Sequence, residues 1–149
     1  MAIENREKMG RALALDLGTK RTGAAISDEL GITAQPVGVR ARTGYKSDLA
    51  WVRELMAEYE IAIIIVGYPI NMDTSVGERA LASERFVSKL KKDIDVEVIL
   101  WDERLSTAGA TRVLLEADMS RKKRKKVVDQ MAAQLILSTW LDAQSNKMK

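Results

Sequence analysis

Ala12-Leu13-Ala14-Leu15-Asp16-Leu17-Gly18-Thr19-Lys20-Arg21-Thr22-Gly23-Ala24-Ala25-Ile26-Ser27 sets two apolar segments on either side of a short basic turn. The pattern predicts a β-hairpin. Its first strand is hydrophobic enough to be central in a sheet, where a carboxylate costs several kcal/mol unless it stays near solvent or binds a cation. Asp16 therefore stands out. An acid at a strand's end beside a glycine turn can meet metal or phosphate, whereas the plainer reading is a turn-forming Asp, and the pattern gains weight only with partner acids.

Outward from the hairpin, Ile32 to Val39 supplies a third strand, edged near Pro36. Leu49, Val52, Leu55, Met56 and Tyr59 recur at helical spacing, with Ser47 or Asp48 as the cap. Ile61-Ala62-Ile63-Ile64-Ile65-Val66, ending at Gly67, reads as a strand buried on both faces and implies a parallel crossover. Ser75 to Lys91 predicts a second helix and Val96 to Trp101 a fifth strand, which ends in Asp102-Glu103-Arg104. Ser106 or Thr107 caps a third helix carrying Val113, Leu114 and Leu115, and a last helix runs from about Lys126 to Asp142. Residues 10–144 are expected to form a single α/β domain, with 1–9 and 145–149 as flexible termini.

Composition narrows the chemistry. The 149 residues, 46% of them hydrophobic, suit one domain with a real core. The chain has neither cysteine nor histidine, which removes thiolate nucleophiles, imidazole bases, a Ser-His-Asp triad and His- or Cys-ligated metal. Carboxylate, hydroxyl and lysine chemistry remain. No run is long enough to cross a bilayer and no secretory signal opens the chain, so no membrane partner and a cytoplasmic location are expected. The formal charge of +3 does not by itself point to nucleic acid. Its distribution says more. Arg121-Lys122-Lys123-Arg124-Lys125-Lys126 concentrates positive charge in what reads as a connection between two apolar helical patterns, with a solvated loop as the plain alternative.

Two further acids compete for a role beside Asp16. Glu103 follows a buried strand, and in open α/β sheets ligands gather at the carboxyl ends of strands. Asp102 is its rival, because neighbours on a strand point to opposite faces and only one of the two can face a common site. Asp129 shares a helical stripe with Ala133, Ile136 and Trp140, which turns it toward the sheet. An acid in a first helical turn can simply complement the helix dipole. The cations before it suit a polyanion better than they suit the helix.

The strings from Ala14 to Gly23, Val66-Gly67-Tyr68-Pro69-Ile70-Asn71-Met72-Asp73, Asp102-Glu103-Arg104-Leu105-Ser106-Thr107 and Val128-Asp129-Gln130-Met131-Ala132-Ala133 resemble the YqgF, or RuvX, family. The resemblance covers about Gly10 to Leu141 and rests on four ordered motifs. It implies a ribonuclease H-like three-layer fold with a mixed five-stranded sheet flanked by helices, similar to Holliday junction resolvases, and activity as a pre-16S rRNA nuclease. It further implies that Asp16, Glu103 and Asp129 form an acidic metal site. Family members commonly carry glycine where this chain has Thr74, which bears on loop shape and substrate fit but leaves the acids untouched.

Such acids serve phosphodiester hydrolysis. Three carboxylates can hold two Mg²⁺ or Mn²⁺ ions about 4 Å apart, one activating water and the other stabilising the leaving oxygen. Lys20 and Arg21 would steady the phosphate backbone, Arg104 would either do likewise or pair with a neighbouring acid, and Arg121 to Lys126 would steer nucleic acid without reading sequence. An rRNA precursor, alone or on a ribosomal particle, is the expected partner, acted on by a monomer or homodimer. The alternatives are a resolvase of four-way DNA junctions, which needs a symmetric pair of sites, and a noncatalytic binding module. Asp16-Leu17-Gly18-Thr19 also looks like the first phosphate motif of the actin, Hsp70 and sugar kinase superfamily, but those proteins close two such domains on a nucleotide.

Overall fold

β1 (Arg11–Leu17) lies at the centre of a five-stranded sheet in the order β3-β2-β1-β4-β5. The computed structural model describes residues 10–69, 75–102 and 121–147, and the backbone alone for 121–130, 146 and 147. β1 pairs antiparallel with β2 (Arg21–Ser27), which pairs antiparallel with β3 (Ala34–Ala41). On its other side β1 pairs parallel with β4 (Ile61–Tyr68), and β4 pairs parallel with β5 (Glu97–Asp102). Three helices stand among the described residues: α1 (Tyr45–Glu58), α2 (Glu78–Asp93) and α3 (Arg121–Lys147).

Strand alternation divides the core. Leu13, Leu15 and Leu17 pack with Trp51, Val52 and Leu55 of α1 and with Phe86, Val87 and Leu90 of α2. Ala12 and Ala14 turn the other way, joining Ala25, Ile65 and the α3 residues Ala133, Ile136, Leu137 and Leu141. Large side chains thus fill the face covered by two helices, and alanines let one long helix sit close on the other. Leu13 and Leu15 are essentially solvent-free, so truncating either to alanine costs about 2–5 kcal/mol.

The expected hairpin forms, closed by a Gly18 N–H donating to the Arg21 carbonyl at 2.8 Å. A Cβ at Gly18 would meet that same oxygen at 2.6 Å, so only glycine fits there. Where the β1–β4 pairing slips between Arg11 and Ala12, the buried Ser27 hydroxyl accepts the Ala12 N–H at 2.8 Å.

Several boundaries depart from the sequence reading. β3 begins at Ala34 rather than Ile32, because the Asp28 carboxylate accepts the Ile32 and Thr33 N–H groups at 2.6 and 3.0 Å and keeps both in the turn. Pro36 does lie on an edge strand. α1 starts at Tyr45 behind Gly44, with no side-chain cap; Ser47 and Asp48 lie inside it, and Asp48 binds Arg42 instead. α2 starts at Glu78 behind Gly77, three residues later than expected from Ser75.

The largest correction concerns the basic run. Arg121 to Lys126 is the opening of α3, not a connection before it. Lysine and arginine are good helix formers, and no Gly or Pro interrupts the chain after Arg121. α3 continues to Lys147, beyond the expected stop near Asp142. The helix expected from Ser106 or Thr107, Thr74 and residues 1–9 lie outside the described residues.

Candidate active site

Asp16 is the next-to-last residue of β1 and, by alternation from Ala12 and Ala14, belongs to the face covered by α3. Gly23 is its direct partner on β2. On β4 the residue after the Leu15–Val66 pair is Gly67. Both strands beside Asp16 thus present a glycine at its level, so neither adjacent strand sets a side chain directly beside the carboxylate. Asp16 itself is only 3% exposed. A carboxylate so withdrawn from water is strongly stabilised by a nearby cation.

One such cation comes from the protein. Arg79, in the first turn of α2, places Nη2 3.9 Å from Asp16 Oδ1 and donates from the same nitrogen to the Leu17 carbonyl at 3.2 Å. No local sequence signal marks Arg79, since its position depends on where β4 delivers the chain to α2. Its Nε is buried and has no hydrogen-bond partner among the described residues.

A second arginine braces the turn that carries Lys20 and Arg21. Arg42 donates from Nη1 to the Gly18 carbonyl at 2.9 Å, and its backbone N–H donates to the Lys20 carbonyl at 2.8 Å. Its Nε and Nη2 each lie 3.1 Å from Asp48 Oδ2, whose side chain is 6% exposed. The brace is thus anchored in α1. Within the turn, Lys20 is exposed and Arg21 half-buried. The sequence reading missed Arg42 as well as Arg79, and gave Asp48 to a helix cap.

β5 settles which face Asp102 occupies. Trp101 donates from Nε1 to the Thr139 hydroxyl of α3 at 3.0 Å, so Trp101 lies on the face of Asp16. Asp102, the next residue, therefore belongs to the opposite face. There it pairs across the sheet with Tyr68. The Tyr68 phenol is pushed above its ordinary value by desolvation, and further by Glu84 of α2, which accepts its hydrogen bond, and by the charge of Asp102. Asp102 is thus separated by the sheet from the Asp16 carboxylate.

Glu103 and Arg104 lie outside the described residues. Asp129 and Arg121 to Lys126 are placed by the α3 backbone, their side chains undescribed. Asp129 stands one turn before the buried Ala132 and Ala133. A Cβ on Gly31 would lie 3.9 Å from Leu141 Cδ2, and Gln134 donates to the Ala34 carbonyl at 3.0 Å. From those anchors at the β2–β3 turn, α3 points its N-terminal turns toward the end of the sheet where β1 finishes. Among the described residues no three acids gather into a metal-binding group. Trp51 is buried in the core under Arg40, and Trp101 and Trp140 pack against the core on the α3 face of the sheet.

An antiparallel β1–β2–β3 unit continued by parallel β4 and β5, with helices on both faces, is a ribonuclease H-like fold. Among solved structures, RuvC of T. thermophilus in complex with a Holliday junction substrate aligns with a TM-score of 0.56 at 10% identity, covering 91% of this chain and 96% of that one. The fowlpox virus Holliday junction resolvase aligns with a TM-score of 0.51 at 15% identity, over 90% of this chain and 99% of that one. Those likenesses are of fold. The chain belongs to the RuvX family, whose description, "RuvX: Holliday junction resolvase", matches residues 10–143. A relative from Myxococcus xanthus is 53% identical over 133 residues, 89% of this chain and 88% of its own length. Another from Geobacillus kaustophilus is 51% identical over 135 residues, 89% of this chain and 98% of its own. Each bears the name "Putative pre-16S rRNA nuclease".

Proposed function

We propose that this protein is a metal-dependent nuclease that hydrolyses phosphodiester bonds in maturation of the 5′ end of pre-16S rRNA, with Asp16, Glu103 and Asp129 as the acids of its site. The observation that carries the reading is Asp16, a nearly buried carboxylate at the end of the central strand, flanked by glycines on both neighbouring strands. The names of the relatives supply the substrate class.

The chain's donors fit Mg²⁺ or Mn²⁺. With neither histidine nor cysteine available, side-chain ligands are confined to oxygen, and carboxylates suit these hard ions. Asp16, Glu103 and Asp129 would hold the metal, three carboxylates being enough for two ions. Once bound, the ions would supply an activated attacking water and charge stabilisation at the leaving oxygen. The position of Asp102 on the face away from Asp16 supports Glu103 as the member of that acidic pair that serves the site.

The cations do the binding. Lys20, Arg21 and Arg104 hold the phosphate backbone at the rim, with the Arg42–Asp48 brace fixing the turn that carries the first two. Arg121 to Lys126 lengthen α3 at the end that leads into Asp129 and attract the polyanion from a distance. The protein works in the cytoplasm, on naked precursor or on a ribosomal particle.

The family description favours a second reading, resolution of four-way DNA junctions, which requires two symmetric sites and hence a homodimer. A panel of precursor rRNA leader, single-stranded RNA, duplex DNA and four-way junction, incubated with Mn²⁺, separates the two. Preferential cleavage of the leader supports rRNA maturation. Preferential symmetric cutting of the junction replaces it, and binding without cleavage of any substrate contradicts both.

A further inference from the structure

The two arginines at the β1 end of the sheet are held very differently. Arg42 has its Nε, Nη1 and Nη2 all engaged by the Gly18 carbonyl and the Asp48 carboxylate. Among the described residues Arg79 donates from Nη2 to the Leu17 carbonyl, while its Nε is buried without a partner. Its Nη2 stands 3.9 Å from Asp16 Oδ1, near enough for Coulombic attraction and too far for a hydrogen bond. The Arg79 side chain is 41% exposed, so solvent and solutes reach it, whereas that of Asp16 is 4% exposed. A guanidinium has five donors in a planar fork that matches phosphate, and this one spends few of them on the protein.

We propose that Arg79 is a resident counter-charge of Asp16, opposing metal binding there until a nucleic-acid phosphate draws its guanidinium away. The inference rests on the assignment of Asp16 as a metal ligand. A divalent cation approaching Asp16 alone meets a positive charge already beside its ligand. A phosphate offers Arg79 the bidentate partner that the Leu17 carbonyl cannot, and moving the guanidinium onto it takes that positive charge away from the Asp16 carboxylate. Metal and nucleic acid then bind cooperatively, because each removes a charge conflict for the other. Arg79 is a positioning residue in this scheme, acting through Asp16.

The test is calorimetric titration with Mn²⁺, in the absence and presence of a non-cleavable phosphorothioate oligonucleotide, on wild type, Arg79→Gln, Arg79→Lys and Asp16→Asn. Without oligonucleotide, Arg79→Gln binds Mn²⁺ about three- to tenfold more tightly than wild type, the range reflecting solvent screening of a partly exposed charge. Arg79→Lys, which keeps the charge, stays near wild type. Oligonucleotide tightens Mn²⁺ binding to wild type more than to Arg79→Gln. Equal or weaker Mn²⁺ binding by Arg79→Gln overturns the inference, even where Asp16→Asn abolishes binding and so upholds the site. Mn²⁺ binding that survives Asp16→Asn unchanged removes the metal from Asp16 and overturns the function reading and this inference together.

Discussion

Replacing Arg42 by alanine should cost more than any surface ion pair. The substitution removes the Nη1 bond to the Gly18 carbonyl and both contacts to Asp48, at 2.9, 3.1 and 3.1 Å. It also strands the Asp48 carboxylate, whose side chain is 6% exposed, without its cation. Breaking a buried pair costs about 3–5 kcal/mol, but Arg42 is 24% exposed and water can enter the vacated space, so a loss of about 2–4 kcal/mol is expected. Asp48→Ala leaves the more accessible partner behind and should cost about 1–2 kcal/mol. The double variant removes the stranded charge as well as the pair. It should therefore be more stable than the sum of the single losses implies, with a coupling of at least about 1 kcal/mol in urea unfolding. Additive losses, with coupling below about 0.5 kcal/mol, would show that the brace is a surface contact and refute the reasoning.

Gly18→Ala places a methyl group 2.6 Å from the Arg21 carbonyl and must reshape the turn, destabilising by about 1–3 kcal/mol and lowering nuclease activity further than the stability loss explains, as thermal melts beside cleavage rates would show. Asp28→Ala should cost about 1 kcal/mol at neutral pH, measured by urea unfolding. Desolvation raises the Asp28 pKa, but hydrogen bonds from the Thr33, Ile32 and Asp28 backbone outweigh it and hold the group below its ordinary 3.8. Its stabilisation is therefore present above 3.8 and lost as pH falls through the lowered folded value, so wild type and variant should converge in acid. Exchanging Lys122, Lys123, Lys125 and Lys126 for glutamine should weaken binding to RNA and DNA alike and flatten its salt dependence, read from affinities at several salt concentrations.

What the sequence made legible was what short-range pattern encodes. The hairpin, the β-branched run of β4 and the apolar stripe of α3 each announce themselves within a few residues, and Asp16 is conspicuous because it interrupts such a run. The start of α3 is hidden because a run of charge looks the same in a solvated loop and in a helix, although lysine and arginine favour helix and no breaker separates them from Val127. β3 was placed too early because Ile32 is apolar, whereas the Asp28 carboxylate commits it to the turn. Arg79 and Arg42 were invisible for another reason. Arg79 meets Leu17 across 62 positions of sequence, and Arg42 closes on Gly18 across 24, so only the assembled sheet brings either to the site. Strand alternation set Asp102 and Glu103 on opposite faces from the sequence alone, but which face Asp102 takes depends on Trp101 meeting Thr139 across 38 positions of sequence.

The most direct test of the account is Mn²⁺-dependent cleavage of the substrate preferred in the panel by wild type, Asp16→Asn and Asp102→Asn, with circular dichroism confirming that each variant is folded. The account predicts that Asp16→Asn abolishes cleavage while Asp102→Asn retains it. Cleavage by Asp16→Asn at the wild-type rate, or equal loss in the two variants, would contradict an active site built on the α3 face of β1.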